Sequence, residues 1–81
     1  MDQLSEAVAL TRIRAERNEW RFYRMSLSPD LFGGVALARN WGRIGTSGRS
    51  RIDLHPNAST AANALAQLAR SKRRRGYRDA G

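Results

Sequence analysis

Cysteine is absent from this 81-residue chain. That excludes a disulfide framework and a thiolate zinc site, and it fits a reducing compartment. Histidine is nearly absent: His55 stands alone, too few for a histidine-based metal centre within one chain, so neither a metal nor a cofactor is expected. No apolar run approaches the roughly 18–20 residues of a membrane span. The segment Met1-Asp2-Gln3-Leu4-Ser5-Glu6 lacks the basic and apolar regions of a secretory signal, so a cytoplasmic location without membrane association is expected. Length is scarce too. A chain of this size buries only about 60–65% of the surface that its unfolded form exposes, enough for one thin core.

Acidic residues are few, and their shortage is local. Fifteen lysines and arginines face seven aspartates and glutamates, a formal net charge of +8. Residues 1–38 are balanced, five basic against five acidic, whereas residues 39–81 carry ten basic against two acidic. Such an asymmetry points to a polyanionic partner, nucleic acid before membrane. An arginine-rich solvated surface is the plainer reading, since fourteen of the fifteen cations are arginine.

What is present groups around Asn40-Trp41-Gly42-Arg43-Ile44-Gly45-Thr46-Ser47-Gly48-Arg49. This stretch offers an indole, flanking cations and glycines that permit close backbone approach. Ahead of it, Val8 to Arg14 reads as a first strand, with Leu10, Arg12 and Arg14 on one side. Trp20 to Leu27 reads as a second, with Tyr23, Met25 and Leu27 sharing a face. Ser28-Pro29-Asp30 breaks that strand and Gly33-Gly34 gives a turn. Val35 to Trp41 is the third strand and Arg49 to His55 the fourth. In the fourth, Ile52 and Leu54 face one way while Arg49, Arg51, Asp53 and His55 face the other. From Thr60 to about Arg74 the chain is alanine-rich and helical, capped by Asn57 or Ser59 at its start and by Gly76 at its end. The expected fold class is α+β: an antiparallel meander of about four strands with one C-terminal helix packed on one face. Residues 1–7 and 78–81 read as loose ends around a single domain, 8–77.

Enzymatic chemistry fails on inventory. Asp53 and His55 on one strand face imitate part of a triad, but no serine is placed as a nucleophile beside an oxyanion loop. Gly42, Gly45 and Gly48 imitate a phosphate cradle, but no helix opens after them. No enzyme is expected. Binding fares better, because arginine offers planar, bidentate donors to phosphates and stacks on bases. Arg39, Arg43, Arg49 and Arg51 lie on or beside the hairpin that Trp41 begins, and Lys72, Arg73, Arg74 and Arg75 cluster at the helix end. Trp41 shares parity with Val35 and Leu37, so spacing allows a core residue as readily as a ligand platform. Arg43 could equally pin the turn.

Trp41-Gly42-Arg43-Ile44-Gly45-Thr46, followed by Gly48, resembles the signature of the WGR domain. The likeness extends to the aromatic strand Phe22-Tyr23-Arg24-Met25-Ser26-Leu27, to a helix with Ala61, Leu65 and Leu68, and to Lys72 leading to Gly76-Tyr77. WGR domains occur in DNA-dependent poly(ADP-ribose) polymerases, in bacterial proteins resembling molybdate-metabolism regulators, and as small bacterial chains. In the polymerases the domain contacts DNA near a strand break. The motif tryptophan packs on the terminal nucleotide, and the motif arginine joins neighbouring domains. The resemblance therefore implies a non-catalytic nucleic-acid-binding module, with DNA favoured over RNA and Trp41 at the DNA end. Arg43 would lack the zinc-binding and catalytic domains it bridges there. The alternative is a protein-interaction module whose Trp41–Arg43 surface docks on an acidic partner or on another copy of itself. Oligomeric state is left open.

Overall fold

The computed structural model describes residues 6–80. Four long elements of the sheet follow in chain order: β1 (Ala7–Arg14), β2 (Glu19–Pro29), β3 (Val35–Arg43) and β4 (Arg49–His55). Helix α1 (Ala58–Arg74) comes next, and a two-residue strand, β5 (Arg78–Asp79), ends the fold. The sheet is antiparallel in the order β4-β3-β2-β1-β5. The architecture is α+β with one helix, as the patterning implies, but with five strands rather than about four. The fifth is too short to carry a periodic signal. After the helix reverses at Gly76, the chain runs back along β1, where Arg78 opposes Thr11 and Asp79 opposes Leu10. Residues 78 and 79 are thus part of the sheet and not a loose end; the expectation for residues 1–5 and 81 lies outside the described residues.

Alternation decides which side chains meet the helix. Val8 and Leu10 of β1, Tyr23, Met25 and Leu27 of β2, and Val35 and Leu37 of β3 point inward to Ala61, Leu65 and Ala69 of α1. The helix thus buries an i, i+4, i+8 row of small and medium residues, which lets its axis lie close to the sheet. Leu10 and Leu37 are the most completely buried large side chains, and each contributes about 1.5–3 kcal/mol by burial.

Strand β2 continues through Pro29, past the expected break. Its odd-numbered residues turn their main-chain groups toward β1, which begins only at Ala7 opposite Ser26. Among the described residues none of β1 stands opposite position 29, so proline breaks no ladder bond there. In β4 the polar residues Arg49, Arg51, Asp53 and His55 share the helix side of the sheet with Leu37 and Val35. Ile52 and Leu54 face away from it, 65% and 67% exposed.

Both helix ends are chemically closed. Asn57, rather than Ser59, is the N-cap, and its side chain accepts the Thr60 backbone N–H at 2.8 Å. At the C-terminus Gly76 (φ +97°) donates to the Arg73 carbonyl and Tyr77 to the Lys72 carbonyl, both at 3.1 Å. That pair of bonds reverses the chain in the left-handed conformation that glycine adopts at least cost.

A candidate nucleic-acid interface

Past the C-terminal end of α1 the core ends in aromatic side chains: Tyr23 and Tyr77 are buried, 4% and 8% exposed, and Trp41 beside them is half-buried. Tyr23 and Trp41 are directly opposed across β2 and β3. Their rings stack with centroids 5.8 Å apart at an interplanar angle of 21°. Tyr77, delivered by the helix cap, meets Tyr23 edge-on at 6.4 Å. Trp41 is half-buried and packs against the core. The core reading of its parity thus has a structural basis, and partial exposure leaves part of the residue accessible.

Cations ring these aromatics. Lys72 Nζ lies 4.5 Å from the Tyr23 ring centre and 5.6 Å from that of Tyr77. The Arg12 guanidinium lies 5.2 Å from the Tyr77 ring centre, and it donates to the Arg75 carbonyl at 3.0 Å. Arg39 donates to the Tyr23 hydroxyl at 3.3 Å. Burial, and then the positive charges of Arg75, Arg12, Arg39 and Arg21, hold the Lys72 ammonium below the ordinary lysine pKa. The arginine share of that shift reflects cations gathered around Lys72, a field that attracts anions. Acids compensate only part of this charge. Glu19 sits among Arg12 at 3.3 Å and Arg14 and Arg21 at 3.9 Å. Asp53 is bound by Arg39 and Arg51, each at 2.9 Å. Both Asp53 oxygens are occupied by arginine, so the Asp53–His55 pair forms no triad fragment. Among the described residues, Lys72, Arg49 and Arg75 have no acidic partner.

The residues singled out from the sequence divide between one shared face and three separate places. Trp41, Arg39, Arg49, Arg51 and Lys72 share the inner face, with Arg49 opposite Trp41 and Arg51 opposite Arg39; Arg75 is close enough to lower the Lys72 pKa. Arg43 is directed elsewhere: it donates to the Asn18 carbonyl and side-chain oxygen at 3.2 and 3.3 Å, holding the β1–β2 turn. Arg73 makes a two-bond fork with Asp79 at 2.8 and 3.1 Å, which raises the arginine pKa and lowers that of the aspartate. Arg74 lies with Arg70 and Arg73 beside Glu6 and Val8, along the β1 side of the helix. Arg12, Arg21, Tyr23 and Tyr77 belong to the site and were not among the sequence candidates. Arg12 carried a usable signal, its parity with the core residue Leu10. The Tyr23–Trp41 stack needs the strand register, which no single strand reveals.

The hairpin after Trp41 is braced by its own polar groups. Thr46 donates from both backbone and hydroxyl to the Arg43 carbonyl, at 3.0 and 2.7 Å. Asn40 donates to the Ser47 and Arg49 carbonyls at 3.0 and 2.9 Å. Gly48 has φ +68°, and a Cβ there would run into the Trp41 carbonyl and the Phe22 ring.

Fold and surface together define a small α+β module with a half-buried tryptophan, stacked on a buried tyrosine, among cations. The chain belongs to the WGR family: the model of the WGR domain matches residues 6–81. It is similar to the uncharacterised protein y4dW of Sinorhizobium fredii (strain NBRC 101917 / NGR234), at 43% identity over 67 residues. The match covers 83% of this chain and 33% of that relative, so the chain spans about a third of the relative's length. No solved structure matches. Among the described residues no helix is long and apolar enough to cross a membrane, and no three His, Asp or Glu side chains gather into a metal-holding group.

Proposed function

We propose that this protein is a non-catalytic, cytoplasmic DNA-binding module that engages ends or breaks through the inner face of its sheet. Lys72, Arg49, Arg51, Arg39 and Arg75 contact backbone phosphates, with Arg12 and Arg21 adding to the field. Trp41, backed by Tyr23, packs on the sugar and base of a terminal nucleotide. The observation that carries this reading is the Tyr23–Trp41 stack beside Lys72, whose pKa is lowered by burial first and then by surrounding arginines. An end supplies what a continuous duplex hides, an unstacked base face beside phosphates. DNA is favoured over RNA by the likeness to WGR domains; phosphate and ring contacts by themselves serve either nucleic acid.

Titration of labelled blunt, nicked, continuous and single-stranded oligonucleotides at two salt concentrations tests it. Neutralising five phosphates gives a log–log salt slope of about −4 to −5. Trp41→Ala should lose preference for ends over continuous duplex more than it loses overall affinity. No measurable binding at low salt would sink the proposal. In that event, recovery of a stoichiometric acidic protein in a nuclease-insensitive pull-down would favour the protein-docking reading of the same face.

A further inference from the structure

The edge of the sheet at β4 is open among the described residues, and its ladder polarity can be worked out. Asp30 donates its backbone N–H to the Gly34 carbonyl at 2.9 Å and Ile44 donates to the Trp20 carbonyl at 2.8 Å. Both bonds continue the β2–β3 register. Even-numbered residues of β3 therefore turn their main-chain groups toward β2, and the odd-numbered ones turn toward β4. Those odd residues, Val35, Leu37, Arg39 and Trp41, oppose His55, Asp53, Arg51 and Arg49. By alternation Ser50, Ile52 and Leu54 direct their N–H and carbonyl groups outward, away from the sheet. The same three residues project their side chains from the face opposite the helix, so exposed apolar surface at Ile52 and Leu54 accompanies the free main-chain groups.

We propose that this edge pairs antiparallel with the β4 edge of a second copy of the chain, about a twofold axis at Ile52. Charge selects both the occupant and the register. An edge strand is normally guarded by charges that repel its own kind. Here the guard is Arg51 followed two residues later by Asp53, a self-complementary pair. Three neighbouring twofold registers keep the outward groups facing one another. Centring on Arg51 sets Arg51 against itself, although it also sets Arg49 opposite Asp53, and centring on Asp53 sets Asp53 against itself; only the Ile52 centre opposes no like charges. Centring on Ile52 sets Arg51 opposite Asp53 of the second copy, and Asp53 opposite its Arg51. These positions are non-hydrogen-bonded pairs, where side chains approach most closely. Ile52 then meets Ile52, and Ser50 meets Leu54, closing a ladder of about six main-chain hydrogen bonds. Both helices lie on the same side of the joined sheet, and Arg49 and Arg51 of the two copies line its middle. Pairing needs no nucleic acid, so it stands or falls apart from the function proposed above.

Sedimentation equilibrium of nuclease-treated protein, from micromolar to high micromolar concentrations, is the test. A monomer–dimer equilibrium is expected for the wild type. Arg51→Asp or Asp53→Arg alone should weaken it by about tenfold or more, because each places like charges opposite one another across the axis. The double exchange, Arg51→Asp with Asp53→Arg, should restore it to within about threefold. The internal pair survives that exchange, because position 51 lies directly opposite Arg39. Ile52→Pro keeps the fold, since the N–H it removes faces outward, and it should abolish pairing. Circular dichroism of each variant establishes that it is folded. A wild type that stays monomeric throughout, a dimer that persists in Ile52→Pro, or a folded double exchange that stays monomeric would each overturn the proposal.

Discussion

At the scale of residues, Lys72 carries the clearest electrostatic signature. It is the sole lysine in the chain, and its ammonium is disfavoured by burial and by four nearby arginines. Because the folded-state pKa lies below the ordinary 10.5, the unfolded chain binds more protons between those two values. Stability therefore rises with pH across that alkaline window, and the penalty is largest below it. A bound polyanion reverses the effect, so complex formation is accompanied by proton uptake in the same window. Carbon-13 methylation of Lys72 followed by NMR titration, with and without DNA, should show the pKa move upward in the complex. An unchanged value would place the phosphates elsewhere. Arg43 separates stability from binding. Its two bonds to Asn18 hold a turn, so Arg43→Ala should cost about 1–2 kcal/mol in urea denaturation. DNA affinity should change much less than in Lys72→Gln. Gly48→Ala should be more damaging, by about 2–4 kcal/mol, because it combines left-handed backbone with overlap against the Trp41 carbonyl and Phe22.

Among the secondary-structure elements, the helix and its two caps place the site. The bonds from Gly76 and Tyr77 bring Lys72 and Tyr77 to neighbouring positions over Tyr23. Asn57→Ala removes the N-cap and should lower stability by about 1 kcal/mol. Its thermal shift should leave DNA binding intact well below the transition, since the site lies at the other end of the helix. How much of this was legible in the sequence differs by element. The alternation of Tyr23, Met25 and Leu27, and of Val35 and Leu37, names the inner face of β2 and β3. Asparagine and glycine mark the helix ends. Strand β5 escapes because two residues cannot display a period. In β4 the alternation is plain but its direction is not: Ile52 and Leu54 are the apolar pair, yet the register with β3 turns Arg51 and Asp53 toward the helix side. Arg43 and Arg73 look like binding residues in a list of cations. A turn-pinning role for Arg43 is one of its two sequence readings, but its partner Asn18, like Asp79 for Arg73, is visible only in the tertiary structure.

Viewed as one molecule, the protein keeps its two faces distinct. The inner face joins the core to an aromatic patch ringed by cations, while the outer face carries Trp20, Ile13, Ile52 and Leu54 exposed to solvent. The net charge of +8 draws any polyanion toward the surface without choosing a face. In the proposed reading, the Tyr23–Trp41 stack distinguishes one face. The two tryptophans report on this directly, because Trp41 lies on the inner face and Trp20, on β2, on the outer one. The most direct test follows the two indole N–H resonances while nitrogen-15-labelled protein is titrated with a nicked or blunt-ended duplex. The predicted result is that the Trp41 resonance shifts or broadens in step with binding, while the Trp20 resonance stays in place. Binding that moves Trp20 and leaves Trp41 unperturbed would contradict the assignment of the interface to the inner face.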